Sequence, residues 1–121
     1  MTYIYKSKEG QQIIASFSKL DKAPEGFTLL EPNTVDAAKE KHVPVVDVQR
    51  DGHIIHVVVG ETPHPMTEEH LIEWIAFESD DRFEVHYLKP GQVPATFFAG
   101  GVKNGTVYAY CNLHGLWKAT F

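Results

Sequence analysis

Cysteine is nearly absent from this chain. Among 121 residues there is one, Cys111, so no disulfide can close within the chain. A lone thiol suits a reducing compartment, and a cytoplasmic location is expected. Long hydrophobic runs are also missing; none approaches the roughly 18 residues of a membrane-spanning helix. The start, Met1-Thr2-Tyr3-Ile4-Tyr5-Lys6, has no basic stretch followed by an apolar one, so no signal peptide is expected. Basic charge is in deficit: 11 Lys and Arg against 16 Asp and Glu leave a formal net charge of -5. No basic patch marks a nucleic-acid interface. Internal repeats and low-complexity tracts are lacking too. What remains is ordinary globular usage, 43% hydrophobic and 12% aromatic, enough for a core without disulfides.

After about residue 35 the chain is a succession of strand-like runs. Val43–Val48, His53–Val59, Leu71–Phe77, Phe83–Tyr87, Ala95–Ala99, Thr106–Tyr110 and Leu116–Phe121 are β-branched, aromatic or alternating. Asp51-Gly52 and Asn104-Gly105 read as two-residue hairpin turns, because Gly tolerates the positive φ such turns need. Thr67-Glu68-Glu69 could start a helix, but the β-rich run after it argues against one. About seven short strands with frequent turns predict an all-β protein, an antiparallel β-sandwich. Residues 1–35 read as a separate small β piece, with strands over Ile13–Phe17 and Phe27–Leu30. That piece is too small to hold a core alone. The expected division is therefore 1–35 and 36–121.

Seven histidines are many for this length, and four cluster with the cysteine in three segments. These are Glu40-Lys41-His42-Val43-Pro44, His64-Pro65-Met66-Thr67-Glu68-Glu69-His70 and Cys111-Asn112-Leu113-His114-Gly115. Pro65 forbids a regular helix through the start of the second segment, so a loop leading into a strand must hold His64 and His70. In the third, a short turn brings a thiolate and an imidazole to one ion, and Gly115 lets the chain leave tightly. Singly, each has a bland reading: a surface histidine, or a cysteine packed as a small hydrophobe. Together they offer four imidazoles and one thiol. A structural zinc wants four tetrahedral donors, whereas five mixed donors suit iron with an open sixth position. Imidazole accepts either metal, so ligand type alone leaves the choice open. A Cys–His hydrolase would leave three of these histidines without a role.

These three segments, with Ile72-Glu73-Trp74-Ile75 and Leu116-Trp117, resemble superoxide reductase, the iron domain of the desulfoferrodoxin and neelaredoxin family. The resemblance runs from about Asp36 to Lys118, roughly two thirds of the chain. It implies an immunoglobulin-like β-sandwich and one mononuclear non-haem iron. By it, His42, His64, His70 and His114 are equatorial ligands, Cys111 is the axial thiolate, and Glu40 and Lys41 are an outer pair beside the open face. It also implies one-electron reduction of superoxide to hydrogen peroxide, with electrons from reduced rubredoxin or a similar donor, and a dimer or tetramer, of which a homodimer using residues 1–35 is expected. His53, His56 and His86 match no ligand of the family. Residues 1–35 resemble the small N-terminal desulforedoxin-like domain of longer members. There, Ser7 and Gly10 stand where cysteines would be, and the second cysteine pair would fall near Lys22 and Ala23. Without thiols this domain is expected to hold no metal. Three other readings remain for the residues themselves: an electron carrier, a sandwich module with structural zinc, and a superoxide dismutase.

Overall fold

The computed structural model describes residues 1–121, which divide into two compact units, Met1–Glu31 and Pro32–Phe121. The division falls at Glu31/Pro32 rather than at residue 35. The first unit is a three-stranded antiparallel sheet of β1 (Tyr3–Ser7), β2 (Ile13–Ser16) and β3 (Phe27–Leu29), in the order β2-β1-β3. Its central strand β1 has no counterpart among the sequence expectations. In the tight turn after β1, Ser7 Oγ accepts the backbone N–H groups of Gln11 and Gln12, both at 3.1 Å.

The second unit packs a three-stranded sheet and a four-stranded sheet. After the one-turn helix α1 (Lys39–His42) come β4 (Pro44–Gln49), β5 (Ile54–Val59), β6 (Ile72–Ser79), β7 (Arg82–Tyr87), β8 (Ala95–Ala99), β9 (Thr106–Cys111) and β10 (Gly115–Thr120). The orders are β4-β5-β8 and β10-β9-β6-β7, with antiparallel pairing throughout. This is the expected β-sandwich, with all seven expected strands. Alternation sets the inner faces: in β5, Ile55, Val57 and Val59 are fully buried while Ile54, His56 and Val58 are only half so. With Ile72, Ile75, Phe77, Phe98, Val107 and Ala109 they form the core, which Cys111 closes at one end. Each Val, Ile or Phe among them contributes about 1.5–3 kcal/mol by leaving water.

Two turns differ from expectation. Gln49 is the last residue of β4 to pair with β5, opposite Ile54, so the loop has four residues, Arg50 to His53, rather than two. Gly52 O accepts the N–H of Gly101, and a Cβ at Gly52 would strike Val102 O, so the close approach of a second loop sets this turn. Asn104-Gly105 is no hairpin, because β8 and β9 lie in different sheets. Gly105 instead exchanges both backbone hydrogen bonds with Phe121, at 3.1 and 3.0 Å. The residues 67–70 form bends rather than a helix.

The register places the donor-bearing segments together. Pro44 pairs with Val59, and Cys111 pairs with both Ile72 and Gly115. The start of β4, the end of β5, the start of β6 and the β9–β10 turn therefore meet at one end of the sandwich.

Candidate metal centre

The donors sit at strand ends or on the short segments that join the strands. His42 is the buried last residue of α1. The helix is held by Gly60, where a Cβ would meet Glu40 O and the Lys41 carbonyl carbon, both at 2.8 Å. His64 and His70 lie on the β5–β6 loop, and Cys111 and His114 flank the β9–β10 turn. His42, His64, His70 and Cys111 present donor atoms that all lie within 4.8 Å of one another. His114 joins them: its Nδ1 is 3.1 Å from His42 Nε2 and 3.9 Å from Cys111 Sγ. All five donors expected from the sequence thus converge.

The four rings form a square. Centroids of successive rings, His42–His64–His70–His114 and back, are 4.7, 4.6, 5.2 and 4.9 Å apart. The His42–His70 diagonal is 6.4 Å. In a tetrahedral cluster every separation would be alike; here the diagonal exceeds every side. Neighbouring rings meet edge to face at 74–90°. Cys111, fully buried, closes the core side.

Backbone carbonyls choose the nitrogen that faces inward. His42 Nδ1–H donates to Ala38 O at 2.6 Å, and His64 Nδ1–H donates to Pro65 O at 2.7 Å. With that proton on Nδ1, each Nε2 is a bare acceptor. The two Nε2 atoms are 3.2 Å apart, so two lone pairs face each other. Burial keeps these rings neutral: it lowers the proton affinity of His42 and His70, and lowers the pKa of His64 to about 4. His70 Nε2 is buried with no partner at all. A buried acceptor left unpaired, as His70 Nε2 is, costs about 1–3 kcal/mol, and a cation among these nitrogens removes the cost. Two nitrogens 3.1–3.2 Å apart and at right angles to one ion lie about 2.2 Å from it, a normal imidazole–metal length. The donors fit a metal ion, and the square arrangement is unlike the tetrahedron of structural zinc.

Burial pushes the Cys111 thiol up in pKa, while the backbone N–H groups of Leu113 and His114 pull it down by bonding the sulfur. Those amides are positioned to hold a thiolate once a cation displaces the proton. Glu40 and Lys41 are exposed, and their charges act in opposite directions on His42. Lys41 also acts on His70. The other histidines lie elsewhere. His53 donates to Arg50 O in the β4–β5 loop, His56 packs on Phe97 at 4.7 Å, and His86 lies 2.7 Å from both Thr96 Oγ1 and Glu84 Oε2.

Two residues that support the site carry no role in the sequence reading. Trp117, fully buried, stacks on His42 at 4.9 Å and donates its Nε1–H to His114 O at 3.0 Å. Asn112 bonds the loop that carries His70.

The low proton affinity of these rings has a consequence for the metal-free protein. Between pH 6.5 and about 4 the unfolded chain protonates His64 while the folded chain does not. Protons therefore favour unfolding across that window, and stability rises with pH through it. Thermal unfolding of metal-free protein is expected at falling midpoints as pH drops from 6.5 to 4. A flat profile there would mean that His64 is not held neutral.

A β-sandwich that gathers four imidazoles over one buried thiol presents a group of side chains able to hold a metal ion. Residues 34–120 match the desulfoferrodoxin family model. A desulfoferrodoxin of Clostridium acetobutylicum is 55% identical over 87 residues, 72% of this chain and 67% of that one. A superoxide reductase of Thermococcus kodakarensis is 38% identical, covering 65% of this chain and 84% of its own length. The crystal structure of the superoxide reductase from Treponema pallidum matches 96% of this chain and 98% of its own, with 33% identity and a TM-score of 0.75. The chain belongs to the desulfoferrodoxin family, whose relatives and structural neighbours include superoxide reductases, a class of oxidoreductase.

Proposed function

We propose that this protein is a superoxide reductase, in which one superoxide, one electron and two protons give one hydrogen peroxide. The observation that carries this reading is the square of four imidazoles over the buried Cys111. His42, His64, His70, His114 and Cys111 would hold one mononuclear non-haem iron, which would supply the electron. The names of the relatives from Thermococcus kodakarensis and Treponema pallidum support the same chemistry.

The chain's own groups then have distinct tasks. Four neutral imidazoles and a single thiolate around a divalent ion would leave the site net positive, which favours an anionic substrate. Lys41 adds to that local field against an overall charge of -5. Its compact ammonium also orders water and organises proton supply to the departing oxygen. Cys111, held by two peptide N–H groups, would donate electron density to the metal as a thiolate. Glu40 would offer a hard carboxylate to the metal in its oxidised form. Each turnover needs a fresh electron from an external donor, reduced rubredoxin or a protein like it. The unit Met1–Glu31 contains no cysteine, so electrons pass to the catalytic site without a thiolate-ligated relay in that unit. A cytoplasmic homodimer completes the reading.

Anaerobic iron loading followed by a superoxide pulse tests it. The expected yield is one peroxide per superoxide, with no oxygen released. Oxygen release and turnover without a donor would mark a dismutase, and slow oxidation without peroxide would mark an electron carrier. Lys41→Ala is expected to lower the second-order rate about tenfold while leaving the iron spectrum unchanged. An unchanged rate in pulse radiolysis would remove Lys41 from the mechanism.

A further inference from the structure

The four imidazoles are not held alike. His42 and His64 are each fixed through the ring, by an Nδ1–H bond to a backbone carbonyl. His70 makes no such bond, and its inward Nε2 is buried without a partner. Its aim must come from its backbone. Part of that comes from its own loop, where Thr67 and His70 exchange backbone hydrogen bonds at 3.0 and 3.3 Å and Thr67 Oγ1 accepts the His70 N–H at 3.1 Å. These bonds shape the loop but do not tie it to the rest of the site.

Asn112 makes that tie. Its Oδ1 accepts the N–H of Leu71 at 3.0 Å, and its Nδ2–H donates to Glu69 O at 2.9 Å. The two bonded peptide groups are the immediate neighbours of His70 on either side. The Asn112 backbone N–H also donates to Leu71 O at 3.3 Å. Pairing between β6 and β9 shifts register between Ile72 and Trp74 and ends at Ile72–Cys111. Beyond it, the Asn112 side chain stands in for the next rung of the ladder. Asn112 follows Cys111 directly and lies two residues before His114. One side chain thus locks the peptide flanks of His70 to the turn that carries the thiol and the fourth imidazole.

We propose that Asn112 is the positioning residue for His70, fixing that imidazole against Cys111 and His114. The proposal rests on reading these five donors as an iron centre. Asn112 touches no donor atom and acts through the backbone. Loss of an outer-shell partner weakens a metal site by about 10–100-fold.

The test uses the full chain loaded anaerobically with iron(II), with release to a chromogenic chelator as the readout. Asn112→Ala is expected to speed release about tenfold. In a His70→Ala background the same substitution should change release less than about twofold, since coupled groups are non-additive. Asn112→Asp keeps the acceptor for Leu71 N–H and loses the donor to Glu69 O, so it should fall between the two and covers poor folding of the alanine variant. The ferric electron paramagnetic resonance signal gives a second readout. A loosened His70 changes its rhombicity in Asn112→Ala, and does so less in Asn112→Asp. Unchanged release with an unchanged signal, or the same factor in both backgrounds, overturns the proposal. If the unsubstituted chain fails to retain iron, the reading of the centre itself fails, and that control shows it separately.

Discussion

Replacing Cys111 by serine is expected to abolish any thiolate-to-ferric absorption in the red and to weaken iron retention more than the ~10–100-fold typical of an outer-shell loss. Cys111 is fully buried at the end of the core, so its thiol is pushed up in pKa by desolvation. A bound cation reverses that preference, and the peptide N–H groups of Leu113 and His114 receive the resulting charge. A serine hydroxyl at the same place is far harder to ionise and is a poor electron donor. The square of imidazoles would remain, so His42 and His64 keep their carbonyl bonds and some metal still binds. Absorption and metal release on the same sample separate the two effects. If the serine variant kept the red band and its iron, Cys111 would not be a ligand.

The second large effect is on stability. Trp117→Ala is expected to cost about 3–5 kcal/mol, the usual range for emptying a fully buried aromatic site. Against a typical domain stability of about 5–15 kcal/mol this is a large share. It would also remove the ring stacked on His42 and the donor to His114 O. Trp117→Phe separates these roles. It keeps a ring against His42 but leaves His114 O without its N–H partner, at about 1–3 kcal/mol. Urea unfolding of the metal-free protein measures both. A cost under about 1 kcal/mol for the alanine variant would mean that the site end of the core repacks around the gap.

These two residues also show where reading the sequence succeeds and stops. Cys111, His42, His64, His70 and His114 were all visible as candidates because metal donors are few in kind and cluster in short segments. The strands were visible because β-branched and alternating residues mark them, as in Ile55, Val57 and Val59. Helix α1 left no mark, since four residues are too few to show a helical period. Asn104-Gly105 looked like a hairpin because turn chemistry is local, whereas membership of two different sheets is not. The donors' arrangement was likewise out of reach. It depends on the register that sets Cys111 opposite Ile72 and on carbonyls of Ala38 and Pro65 that any residue could supply. Trp117 and Asn112 stood within recognisable segments, but their partners are distant in sequence or belong to the backbone.

The proposed centre is a single iron held by four imidazoles and one thiolate. The most direct measurement is the visible spectrum of the purified protein before and after ferricyanide, with iron quantified on the same sample. One iron per chain and a red charge-transfer band that appears on oxidation and is absent from Cys111→Ser is the predicted result. A colourless protein that holds zinc or no metal, even after anaerobic iron loading, would contradict it.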